Sequence, residues 1–142
     1  MSNHLGVSAF QMANRIVERE DNIYKKEVVY GVLKAYMQEC RKALINGERV
    51  QLAEIGTIIP EVKTCKNHNL PVCNKEEGNP PYTRLRLYRN QKLMRDMNSK
   101  LVSNIDNGIL GLENLPFDIQ QINILKKSGY ISDDIDNEYE ED

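Results

Sequence analysis

No stretch of this 142-residue sequence approaches the roughly 18 to 20 consecutive apolar residues that a membrane span needs, so no membrane partner is expected. The start, Met1 to Gly6, lacks the basic segment and apolar stretch of a secretory signal, which argues against export by that route. Three cysteines are too few, and odd in number, for a disulfide framework, so a reducing compartment is expected. There is no Ser/His/Asp constellation, no glycine-rich phosphate loop and no paired carboxylate in a recognisable setting. No enzyme, small-molecule substrate or cofactor is therefore expected. Cys65, His68 and Cys73 form C-x2-H-x4-C, but a structural zinc site takes four ligands and this run supplies three, so no metal is expected either.

What is present is a segregation of charge. The total is −2, yet residues 58–95 carry eight Lys/Arg against three Asp/Glu, and residues 96–142 carry three against eleven. A basic middle points to a polyanionic partner. Seven acids stand among residues 133–142. That end of the chain either competes for the basic surface, serves another partner, or does no more than keep the protein soluble. By composition it is expected to be disordered unless a partner orders it.

Hydrophobic periodicity orders the rest. Ser8-Ala9-Phe10-Gln11 has capping-box form, and Phe10, Ala13, Ile16 and Val17 follow at helical spacing, which predicts a helix over 9–19. Val29, Leu33, Tyr36, Met37, Cys40 and Leu44 predict a long amphipathic helix over 24–45, ended by Asn46-Gly47. The period then shortens. Val50 to Leu52 and Ile55 to Ile59 read as a hairpin turning near Ala53 and Glu54. Residues 60–81 hold few large apolar residues, and a structureless loop of that length is improbable in a compact domain, so an extended β-arm is expected, with Tyr82 to Tyr88 as its returning strand. Asn90 is placed to cap a third helix carrying Leu93, Met94, Met97 and Leu101. Asp118 to Lys127 predicts a short fourth helix stopped by Gly129.

Leu44-Ile45-Asn46-Gly47-Glu48-Arg49-Val50-Gln51-Leu52, followed by Ile55-Gly56-Thr57-Ile58, resembles the signature of the HU/IHF family, roughly A-L-x-x-G-E-K-V-Q-L-x-G-F-G-T-F. Tyr88-Arg89-Asn90-Gln91-Lys92-Leu93-Met94-Arg95 is similar to the family's F-K-P-G-K-x-L-[KR]. The resemblance spans about residues 8–104. It implies an α+β, HU/IHF-like fold: two N-terminal helices, a β-hairpin with a long protruding arm, a third helix and, here, a C-terminal extension. The domains implied are 1–104, with the arm at about 59–88, an extension over 105–131 with a short amphipathic helix, and an acidic tail over 132–142. Glu54 stands where the signature has its first turn glycine, and Asn69-Leu70-Pro71 stands where the family has Arg-Asn-Pro.

The family's members are dimers whose arms embrace the DNA minor groove and kink it with a proline wedge, so the resemblance implies double-stranded DNA and a second copy of the chain, as a dimer or higher ring, as partners. Carried across, Pro71 is the wedge. Lys63, Lys66, Lys75, Arg84 and Arg86 become arm contacts, and Arg89, Lys92 and Arg95 hold the backbone near the third helix. Leu33, Tyr36, Met37, Cys40 and Leu44, with Ile55, Ile58 and Tyr88, form the candidate interface. Ile119, Ile122 and Leu125 either fold back onto their own body or dock in a partner's groove. Such a protein is expected in the cytoplasm or nucleoid of a bacterial cell. The alternative is a bacteriophage virion, where HU/IHF-like proteins serve as neck or tail ring components and would bridge neighbouring virion proteins.

Overall fold

The computed structural model describes residues 6–67, 70–71 and 73–133, with the side chains of 65–67 and 70–71 left aside. The described residues are mixed α/β, with four helices and small antiparallel sheets divided between two compact units, Met1–Asn90 and Gln91–Asp142. This division falls at the start of the third helix, inside the span of the 1–104 domain that the resemblance implies.

In the first unit, helix α1 (Ala9–Val17) starts at Ser8. The Ser8 hydroxyl accepts from the Gln11 amide at 3.2 Å, and the Gln11 side chain accepts from the Ser8 amide at 2.9 Å. Two orphan donors of the first turn are thereby satisfied. The helix ends two residues earlier than its apolar spacing predicts. Beyond it Arg19 pairs with Asp21 at 2.8 Å, and the Asn22 carboxamide bonds both the carbonyl and the amide of Tyr24. That local turn also holds back α2, which runs Lys26–Ile45 instead of starting at Tyr24. Phe10 meets Tyr30 edge-on, with ring centroids 5.6 Å apart, and the Lys26 ammonium lies 4.0 Å from the Phe10 ring centre, tying α1 to α2.

Strands β1 (Val50–Leu52) and β2 (Gly56–Lys63) make the expected hairpin. The Ile55 amide donates to the Leu52 carbonyl at 2.8 Å across Ala53 and Glu54. After β3 (Cys65–Asn67) and β4 (Leu70–Pro71), strand β5 (Tyr82–Arg89) returns to pair with β2 along its whole length, from Gly56 opposite Arg89 to Lys63 opposite Tyr82. The sheet order is β1-β2-β5. β1 ends opposite Ile58, so the outer part of the ladder is a two-stranded ribbon. Pro60 is tolerated there because the strand has lost one neighbour and needs fewer ladder donors. Gly56 sits at φ 150° where β2 meets β5, and a Cβ there would collide with the Tyr88 carbonyl. No other residue allows that approach.

In the second unit, α3 (Gln91–Asp106) is followed by a small hairpin, β6 (Gly111–Leu112) with β7 (Leu115–Pro116), and by α4 (Ile119–Lys127). Asn104 ties the end of α3 to β6. Its buried carboxamide NH2 donates to the Gly111 carbonyl at 2.9 Å, and the Asn104 backbone carbonyl accepts from the Ile109 amide at 2.8 Å. A second capping box, Asp118 with Gln121, starts α4, whose Ile122 is wholly buried. The hairpin is absent from the sequence pattern, since two-residue strands leave no period to detect.

Candidate nucleic-acid interface

The ribbon formed by β2 and β5 has two unlike faces, because successive side chains on a strand point to opposite sides. The registers put Thr57, Ile59, Glu61 and Lys63 on one face with Tyr82, Arg84, Arg86 and Tyr88. The other face carries Ile58, Pro60 and Val62 with Thr83, Leu85 and Leu87, and Arg89 at its base. One side is cationic and aromatic; the other is almost wholly apolar.

Glu61 organises the charged side. Its carboxylate takes the Arg84 Nε at 2.9 Å directly across the ladder, the Arg86 Nε at 3.3 Å on the diagonal and the Lys63 ammonium at 3.8 Å two residues along its own strand. The Arg84 hydrogen bond, followed by the charges of Lys63, Arg84 and Arg86, holds the Glu61 carboxyl below the ordinary carboxylate range. Three cations around one anion leave a local excess of positive charge, held in a pattern by Glu61 instead of on three independent side chains.

Of the residues expected to meet DNA, the ribbon therefore brings together Lys63, Arg84 and Arg86. Arg89 lies on the opposite face, next to Gly56. Lys75 is exposed on the turn that Asn74 and Asn79 close by mutual backbone hydrogen bonds. Lys92 and Arg95 are exposed at the start of α3 in the second unit. Lys66 lies in β3, with its side chain among those left aside. Pro71 lies in β4, outside the β2–β5 ladder. The β2–β5 ladder stops at Lys63 and Tyr82, and beyond it β4 turns back so that Pro71 pairs with Cys65. Asn69 falls outside the described residues, as does His68 of the cysteine and histidine run.

The candidate interface residues divide by exposure. Tyr36, Met37, Ile55 and Tyr88 are exposed, whereas Leu33, Cys40, Leu44 and Ile58 are half-buried. Val29 alone is buried along the twenty residues of α2. For the fourth helix, Ile122 has no exposed surface in the single chain, which favours packing of that residue over docking in a partner's groove; Ile119 and Leu125 are half-buried. The acidic stretch from residue 134 onward lies outside the described residues.

Sequence reasoning missed Glu61 as the hub of the basic cluster, and it missed the placement of Tyr82 with Arg84 and Arg86. The signal for the second was present in the alternation Tyr82-x-Arg84-x-Arg86-x-Tyr88. For the first, the cross-strand register was needed. Among the described residues no group of three or more His, Cys, Asp or Glu is placed to hold a metal ion, and no helix is long and apolar enough to cross a membrane.

No protein-family model matches the sequence, and no curated protein matches it. Among solved structures the fold is similar to that of Anabaena HU in a cocrystal with DNA, at a TM-score of 0.47 and 13% identity, over 63% of this chain and 95% of that one.

Proposed function

We propose that this protein is a non-catalytic, HU/IHF-like architectural protein that binds double-stranded DNA through the basic face of the β2–β5 ribbon and bends it. The observation that carries the reading is the convergence of Lys63, Arg84 and Arg86 on one face of a two-stranded ribbon. It is joined by the Leu44 to Ile58 signature, which leads into the first residues of β2. Cations on such a face neutralise phosphate and release condensed counterions, and a bent duplex brings more phosphate within reach, which offsets the cost of unstacking.

The same reading makes the protein an oligomer of its own chain. Val32, Tyr36 and Met37 on α2, and Leu85 and Leu87 on β5, are large apolar side chains exposed in the single chain. Exposed apolar surface of this extent marks an interaction site. The apolar face of the ribbon turns towards the partner copy, and the charged face is left for DNA.

The test is a binding series on a duplex of about thirty base pairs across a range of salt. Affinity should fall steeply as salt rises, and the double variant Arg84→Ala, Arg86→Ala should weaken binding at every salt and flatten the slope by about two. Absence of duplex binding at low salt, or an unchanged slope in the double variant, would rule the proposal out.

A further inference from the structure

The charged face of the ribbon carries aromatic rings as well as cations. Along β5 the order on that face is Tyr82, Arg84, Arg86, Tyr88, and the tyrosines that close the row are 43% and 62% exposed. Exposed tyrosine at two positions is not required by the core, and although a phenolic hydroxyl can reach a duplex phosphate, the ring itself finds no base face there, because paired bases present their edges and hide their faces. A row of ring, cation, cation, ring suits a strand whose bases are free to stack.

From this placement we infer that the Tyr82 to Tyr88 face of β5 is a platform for single-stranded nucleic acid, with Tyr82 and Tyr88 stacking bases and Arg84 and Arg86 holding the phosphates between them. The inference rests on the reading that this face binds nucleic acid and adds a ligand class to it. The dimensions agree. Residues on one face of a strand recur about every 6.7 Å, twice the 3.4 Å rise of a stacked nucleic-acid strand, so the row of about 20 Å follows a short run of extended, unstacked nucleotides. Stacking on an aromatic ring is tolerant of sequence because every base has a face, and Arg adds cation–π contact to the bases. Glu61 takes Arg84 and Arg86 each through Nε, which fixes the guanidiniums in the row between the rings.

The experiment uses the full chain with two unstructured probes, a twelve-residue oligothymidylate and a twelve-residue oligouridylate, beside the duplex. At low salt the oligomers should bind. Tyr82→Ala and Tyr88→Ala should each weaken that binding by about fivefold or more, while the Phe variants retain it and duplex affinity changes less than about twofold. In the unaltered chain, the ring protons of Tyr82 and Tyr88 should shift upfield as oligomer is added, a readout that needs no variant to fold. A preference for one probe would identify the source as DNA or RNA. Single-strand binding that is absent, or insensitive to both Ala substitutions with the ring protons unmoved, would overturn the inference. Duplex binding that persists in that case leaves the architectural reading standing. Tyrosine-dependent binding of single strands with no affinity for duplex would sink that reading and keep this one.

Discussion

Glu61 and Arg84 face each other across the β2–β5 ladder, with the carboxylate accepting from the guanidinium Nε at 2.9 Å. An acid placed at the centre of a basic cluster lowers its net charge and at the same time orients the cations. Removing it is expected to strengthen electrostatic binding. Glu61→Gln keeps the shape and frees Lys63, Arg84 and Arg86, so duplex affinity near 0.1 M salt should rise by about threefold to tenfold, with a salt slope steeper by up to about one. Fluorescence anisotropy over a salt series measures both, and reduced affinity would show that orientation outweighs charge.

The same carboxylate sets an acid dependence. Its folded-state pKa lies below its ordinary value of 4.5, so the contribution of Glu61 to stability is complete above that value and is lost as pH falls through the depressed one. Glu61→Gln should therefore flatten the stability profile on the acid side of 4.5 and leave the profile near pH 7 parallel to that of the parent. Urea midpoints between pH 2 and 7 test this. Because Glu61 is only half-buried and its arginine partners are exposed, the effect should shrink in high salt.

Gly56→Ala is expected to destabilise the first unit by about 2–4 kcal/mol, since the added methyl meets the Tyr88 carbonyl and the φ of 150° is strained for any side chain. The comparison is Gly78→Ala, where φ is also positive but nothing stands within 4 Å. Its cost should be smaller, set by backbone strain alone. Chemical denaturation of the two variants separates steric collision from conformational strain.

In the second unit, Asn104→Leu leaves the buried Gly111 carbonyl without its side-chain donor. A loss of about 1–3 kcal/mol is expected, localised to the β6–β7 hairpin. Hydrogen exchange should show faster exchange at Ile109 and Phe117, whose amides close the hairpin onto Asn104 and Leu110. Unchanged protection there would mean that the hairpin is held by other contacts.

Charges introduced on the exposed face of α2 should separate the copies. Tyr36→Glu with Met37→Glu places two carboxylates where the proposed partner packs, and the mass in sedimentation equilibrium should fall towards 16.4 kDa at micromolar concentration. An unaltered mass would move the interface away from α2.

Much of the element order was legible because it rests on short-range chemistry. The boxes of Ser8 with Gln11 and Asp118 with Gln121, the spacing of the apolar residues on α2, and the alternation at Tyr82 to Tyr88 are each contained within a few residues of chain. They determined where α1 and α4 begin and where a strand with two unlike faces runs. What tertiary structure alone decided is which residues meet. Glu61 and Arg84 are 23 positions apart, and only the register of β2 on β5 makes one the counter-charge of the other. Similarly, Asn104 looks like a polar residue near the end of a helix until Gly111 folds back to accept its amide. Pairing across a ladder and burial of a polar group depend on contacts between distant segments, and the free energy that selects them is a property of the packed chain, not of any window of its sequence.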